Sequence, residues 1–272
     1  MIVPAAAGVL GLVLLVVAQM GIFTRAQRGI TPQIREYATS TGQQLQLTLS
    51  DGTRVTLAPQ STLRIATAPT TPSRTVAIVG EAYFDVRTVP GAPFIVRTGN
   101  VATRVLGTTF SVRRYPGDAH VQVAVTSGKV AVSGIAGPRS ALTLAAGGVG
   151  FVTDSTAIQI SADSARQYTA WTTGKLVFHE VPARDVLATL THWYGYQFAL
   201  TDSALASYRL TTILDAQSSA NALGTIKLLL NVDLTFDGDV VTLHPRQARH
   251  APSRDMHRLR HPLTTPNAEV GR

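Results

Sequence analysis

From Leu45 onward, hydrophobic and polar positions alternate. Leu45, Leu47 and Leu49 interleave with Gln44, Gln46, Thr48 and Ser50, the period of a strand with one buried face. Asp51-Gly52 then reads as a turn, because both residues tolerate positive φ, and Val55 and Leu57 resume the alternation. Similar short runs recur from Val76 to Val86, at Phe94-Ile95-Val96, and from Val101 to Leu106. More follow at Thr109 to Arg113, Val121 to Val125, Val130 to Val132, Leu142 to Leu144 and Val149 to Val152, each bounded by Gly, Pro, Asp or Ser. No helical period appears between residues 40 and 160. Many short strands at regular spacing predict an all-β sandwich, barrel or solenoid.

After residue 165 the period changes. Leu176-Val177-Phe178 reads as a strand. Pro182 suits the first position of a helix, and Val186, Leu187, Leu190, Trp193 and Tyr194 follow at helical spacing up to Gly195. Tyr196 to Leu200 and Tyr208 to Leu214 read as strands. In the second of these, Leu210, Thr212 and Leu214 share one face, and Thr211 and Ile213 the other. Ser218 or Ser219 caps a helix whose apolar stripe is Ala222, Leu223, Ile226, Leu229 and Leu230. A hairpin through Asp237-Gly238-Asp239 closes the unit, giving the order β-α-β-β-α-β-β.

At the other end of the chain, Ile2 to Thr24 carry no charge and include twelve Leu, Ile, Val or Phe residues. These contribute about −4 to −7 kcal/mol towards membrane insertion, and the length suits one crossing. A cleaved signal peptide would need a basic start and a small-x-small cleavage site. Neither is present, so an uncleaved anchor is expected. Arg25, Arg28 and Arg35 follow the span, which by the positive-inside bias would hold the bulk of the chain in the cytoplasm.

Composition changes this picture little. The 272 residues carry a net charge of +8, with 45% hydrophobic and 15% charged residues, which excludes disorder for most of the chain. Half of that charge lies between Arg246 and Arg272, a proline-containing stretch without apolar period, expected to be a disordered basic tail. There is no cysteine, which excludes disulfides, thiolate metal sites and cysteine nucleophiles. No nucleophile elbow, phosphate loop, His-Glu-x-x-His or dinucleotide fingerprint occurs. His179-Glu180 lacks a second histidine at helical spacing. His192 and Trp193 read as packing residues, and no cofactor, metal or catalytic set is expected.

Six segments in order carry a resemblance. Leu49-Ser50-Asp51-Gly52-Thr53 with Val55 and Leu57, Gly80-Glu81-Ala82-Tyr83-Phe84-Asp85-Val86, and Pro93-Phe94-Ile95-Val96-Arg97-Thr98 come first. Val105-Leu106-Gly107-Thr108-Thr109-Phe110-Ser111-Val112, the run from Val121 to Val132, and Leu144-Ala145-Ala146-Gly147 follow. Together they resemble the FecR family. Gly52, Gly107 and Gly128 are read as positions needing positive φ, and all these residues as fold-forming. The second unit, from Phe178-x-x-Val181-Pro182 to Val240-Val241-Thr242-Leu243, resembles the small secretin and TonB receptor N-terminal domain.

The resemblance implies a mainly β chain with a small α+β domain. A transmembrane helix at 1–24 and a linker at 25–43 would precede a FecR-type β domain at 44–160. A secretin/TonB N-terminal-like domain at 170–245 and the tail at 246–272 would follow. It further implies a single-pass inner-membrane protein with its bulk in the periplasm, relaying the state of an outer-membrane TonB-dependent receptor to an extracytoplasmic-function sigma factor. The partners expected are the receptor's N-terminal signalling domain, the sigma factor and the inner membrane; nucleic acid is not. Met1 opens the span directly, so the family's cytoplasmic sigma-binding arm is expected to be missing; that arm would ease the conflict in orientation. The alternative is an envelope scaffold or binding module without regulatory role. If Tyr208 to Leu214 is an edge strand, Leu210, Thr211, Thr212, Ile213 and Leu214 form the expected docking site.

Overall fold

A computed structural model describes residues 33–67, 74–134, 141–153, 156–160 and 164–246. The expected span at 1–24 and, apart from Arg246, the expected tail at 246–272 lie outside them. No helix among the described residues is long and apolar enough to cross a membrane.

The first unit is organised around one strand. β5 (Thr75–Asp85) is eleven residues long, and its two halves belong to different sheets. Its first half pairs antiparallel with β4 (Thr62–Thr67) and parallel with β6 (Phe94–Thr98). Its second half pairs antiparallel with β3 (Arg54–Leu57) and β8 (Thr109–Arg114). From the first half a sheet extends through β4 to β1 (Gln33–Ala38) on one side. On the other side it runs through β6 and β7 (Val101–Val105) to β10 (Lys129–Gly134) and β11 (Leu142–Ala145). From the second half another sheet runs through β3 to β2 (Leu45–Thr48). Its other side continues through β8 and β9 (Val121–Ser127) to β12 (Val149–Val152) and β13 (Ala157–Ile160). The inward residues of both sheets form a single apolar core. The expected mainly β character holds, and the arrangement is a sandwich.

The bend in β5 falls at Gly80-Glu81. Gly80 has φ +94°, and a Cβ there would lie 2.4 Å from Ser61 Oγ. That Oγ accepts from the Glu81 N–H at 2.9 Å and donates to Pro59 O. Thr39 Oγ1 accepts from Ser61 N–H and donates to Ala58 O, so the end of β1 is tied to the same knot. Beneath the bend, Phe84 stacks on Phe110 with centroids 5.3 Å apart and meets Phe94 of the opposite sheet at 6.0 Å.

Two expectations are corrected here. Residues 33–38, placed in a linker, form β1, whose side chains are almost all exposed and so give no apolar alternation. Gly107 does not adopt positive φ, unlike Gly52 and Gly128. Its requirement is space, since a Cβ would lie 1.8 Å from Thr88 Oγ1.

In the second unit, α1 (Ala165–Thr169) and a 3-10 turn (Ala170–Thr173) lead into β14 (Lys175–Pro182). Then come α2 (Ala183–Tyr194), β15 (Gln197–Leu200), β16 (Arg209–Asp215), α3 (Ser219–Leu229), β17 (Val232–Asp237) and β18 (Val240–Pro245). Pro182 stands just before the first helical residue of α2, and Gly195 ends that helix at φ +83°. Ser218 caps α3 by accepting from Asn221 N–H. The strands form two small sheets, β14-β16 and β15-β18-β17, with β15 parallel to β18. The stripe expected on α3 loses Leu229, which is turned outward, and keeps Leu230, which closes the core just past the helix.

The β5 bend generates a stability prediction. Gly117 has the same φ of +94° as Gly80, but open space where a Cβ would go. Gly117→Ala is expected to cost only torsional strain, about 1 kcal/mol. Gly80→Ala adds the clash with Ser61 and is expected to cost about 2 kcal/mol more. Phe84→Ala is expected to cost about 3–5 kcal/mol. Urea unfolding of the three variants beside the parent measures all of these.

Candidate functional site

Alternation along β5 and β8 sends Phe84, Phe110 and Val112 inward and Glu81, Tyr83, Ser111 and Arg113 to the outer face of the second sheet. That outer face is covered by the second unit. Ala165 of α1 packs on Ala124 and Val149, and Tyr83 joins the core built around Trp171 and Trp193. Glu81 is therefore buried to 4% exposure. Its contacts are few and long: Arg113 Nη1 at 3.7 Å and a hydrogen bond from Ser111 Oγ at 3.4 Å. The Trp171 indole N–H faces the carboxylate and favours its charged form, yet makes no hydrogen bond of ordinary geometry. Burial dominates, pushing the Glu81 pKa up to about 7. Arg113 is shared, with Asp118 3.6 Å from its Nε.

Arg113 also lies over the Tyr115 ring, 5.0 Å from its centroid. Tyr115 donates its hydroxyl to Pro59 O at 2.8 Å and stacks on His192 of α2, with centroids 3.8 Å apart and planes 12° from parallel. His192 Nδ1 bonds Gln60 Oε1 at 2.6 Å, which assigns the ring proton to Nδ1. Burial and the nearby Arg113 pull its pKa down to about 4, so the ring is neutral at pH 7. Backbone contacts complete the seam. Gly42 N–H donates to His192 O, and Gln44 Nε2 donates to Trp171 O. His192 and Trp193 are thus packing residues, as their helical spacing suggests, and what they pack against is the seam.

Beside the seam lies a cleft of about 570 Å³. Its floor holds Glu81, Arg113 and Asp118. One wall is Phe151, Tyr168 and Trp171, and the other is β14 with the start of α2. Among the described residues, no group of three His, Asp or Glu side chains is placed to hold a metal ion.

The expected docking residues lie together on β16. Leu210 and Leu214 face inward and are buried, Thr212 is half-buried, and Ile213 is 64% exposed. Thr211 is exposed, but its hydroxyl serves β14. It accepts from Glu180 N–H at 3.0 Å and donates to Glu180 Oε1, holding a bulge in which Glu180 adopts φ +54°. Among the described residues β16 pairs only with β14, so each is an edge. Register fixes which groups are free. Ala216 N–H donates to Gly174 O, so Leu176↔Leu214 and Phe178↔Thr212 are the hydrogen-bonded pairs that alternate onward. Ala183 N–H donates to Tyr208 O, which places Val181↔Leu210 in the same role beyond the bulge. The N–H and C=O groups directed away from β14 are those of Thr211 and Ile213. Thr212 belongs to the internal ladder.

Sequence reading assigned Glu81 a fold-forming role and did not bring Arg113, Asp118, Tyr115 or Trp171 together. The charged residue within Gly80-Glu81-Ala82 was the available signal. Its burial depends on a helix more than eighty residues later.

The FecR protein family model matches residues 35–131, and the FecR, C-terminal model matches 175–243. No curated protein sequence matches the chain. Two crystal structures, at 1.65 and 2.50 Å, of a candidate anti-sigma factor from Parabacteroides distasonis ATCC 8503 are similar to it. Each has a TM-score of 0.71 and 28% identity, covering 78% and 79% of this chain and 100% of the other.

Glu81 generates a prediction with a definite sign. A carboxyl whose folded pKa is raised from 4.5 to about 7 destabilises the fold progressively as pH rises between those values, and fully above 7. Glu81→Gln removes that dependence. Relative to the parent, the variant is expected to gain up to about 3 kcal/mol between pH 5 and pH 8. Urea unfolding across this range measures it, and a parallel profile for the two proteins would show that Glu81 is not the titrating group.

Proposed function

The chain belongs to the FecR family, and we propose from that premise that it regulates sigma-factor signalling from the cell envelope, as a regulator and not an enzyme. The likeness to a candidate anti-sigma factor over the full length of that protein supports this reading. In this proposal residues 1–24 anchor the chain in the inner membrane, and both folded units lie in the periplasm. The second unit, which resembles the secretin and TonB receptor N-terminal domain, receives the N-terminal signalling domain of an outer-membrane TonB-dependent receptor. The protein passes that state to an extracytoplasmic-function sigma factor. A receptor-to-sigma relay needs a surface that binds another folded domain without chemistry, and the β16 edge is the observation that supplies one. It offers the N–H and C=O groups of Thr211 and Ile213 beside an exposed apolar Ile213 side chain.

Two experiments test it. Ile213→Pro removes one outward donor without breaking a bond to β14, and Ile213→Arg keeps the backbone but charges the edge. Against the isolated N-terminal domains of the host's TonB-dependent receptors, titrated in turn by calorimetry, both variants are expected to bind at least about tenfold more weakly than the parent. Far-UV circular dichroism checks that they fold. Unchanged affinity in both would remove β16 as the docking edge, and no binding by the parent would leave an envelope scaffold. Anchoring is tested by alkaline carbonate washing of membranes. The expected outcome is that the intact chain stays in the pellet; a shortened soluble form would mean a cleaved leader.

A further inference from the structure

The two-stranded sheet has a second free edge, and it faces the cleft. The register that turns Ile213 outward on β16 turns Lys175 and Val177 outward on β14, away from their partner strand. Both residues line the cleft. Unbonded N–H and C=O groups at alternate positions are the pattern that an incoming extended chain satisfies, at about 4.8 Å from the edge.

Charge around the cleft chooses the kind of chain. At the mouth, Lys175 and Arg184 balance Glu180 and Asp185, with Arg184 Nε 3.5 Å from Asp185 Oδ1. At the floor, Glu81 and Asp118 share the single guanidinium of Arg113, at 3.7 and 3.6 Å. Two carboxyl groups thus face one guanidinium there, and the Glu81 carboxyl meets no donor at short range. The wall above it is aromatic, with Phe151 and Tyr168 edge to face at 6.2 Å and Trp171 beside them. A lysine or arginine side chain suits that wall with its stem and its cation, and it suits the floor by charge. The volume lies within the range of natural binding clefts.

We propose that the cleft binds an extended segment of a partner protein carrying a lysine or arginine, the segment adding to β14 as a third strand with its basic side chain directed at Glu81. This site is on the opposite edge of the sheet from β16 and does not depend on receptor docking there.

The chain contains two tryptophans, Trp171 and Trp193, and both line the cleft, so intrinsic fluorescence reports on its occupation. The test uses the full chain in detergent, titrated with the capped pentapeptide Thr-Val-Arg-Val-Thr, its Glu-centred counterpart, and the Arg peptide with alternate backbone amides N-methylated. The Arg peptide is expected to give a saturable change, and the Glu peptide to bind at least about tenfold more weakly. The form methylated on the amides facing β14 is expected not to bind. Glu81→Gln is expected to bring the Arg and Glu peptides within about threefold of each other. Val177→Pro is expected to abolish binding, with circular dichroism as its control. The methylated peptide tests the edge without altering the protein. Equal affinity for the Arg and Glu peptides, no effect of methylation, or no response up to about 1 mM would overturn the proposal. So would tighter peptide binding after deletion of residues 247–272, because the chain's own basic segment would then be the occupant. Ile213→Arg is expected to leave peptide binding unchanged, which separates this result from receptor docking.

Discussion

The bend of β5 at Gly80-Glu81 is the constraint on which the rest of the molecule depends. A strand that changes sheets must turn sharply while keeping its backbone groups bonded. Here a glycine at positive φ makes the turn, and the hydroxyl of Ser61 takes the freed N–H. Pairing on both sides of the bend then fixes where every other strand of the sandwich goes. The same knot sets Pro59 and Gln60 against Tyr115 and His192. One local turn thereby determines both the closure of the core and the position of the second unit.

Part of the seam is polar where a core would be apolar. A buried carboxylate with long contacts, a shared guanidinium and a neutral histidine stacked on a tyrosine are individually weak sources of stability. Their effect is geometric. The stack and the Gln60 bond orient α2 against the first unit, and the charged groups line the space beside it. The cleft is lined by residues of both units.

Much of the fold was legible in the sequence because strands with one buried face alternate. β5 through β12 follow that alternation to within a few residues. β1 and β13 escaped because their side chains are mostly exposed or half-exposed, so neither carries a period, and β4 went unread although Leu63 and Ile65 alternate in it. The helices of the second unit were legible through Pro182, Gly195 and Ser218, local signals with local causes. The site was legible only in part. Ile213 and Thr211 follow from alternation alone, but the reason Thr212 is excluded lies in the hydrogen-bond register, which needs the partner strand. Glu81 looks like any outward residue of a strand until a distant helix covers it, and no local pattern carries that information.

The shared core between the units bears on how the chain acquires its shape. Trp171, Trp193 and their neighbours pack against Ala58 and Tyr83 of the first unit. Part of the surface that the second unit must bury is thus supplied by residues made more than eighty positions earlier. During synthesis the amino-terminal sandwich emerges first and serves as the template on which the later helices settle. Severed from that template, the second unit would present an uncovered aromatic face. The two units therefore share buried surface although they match two separate family models.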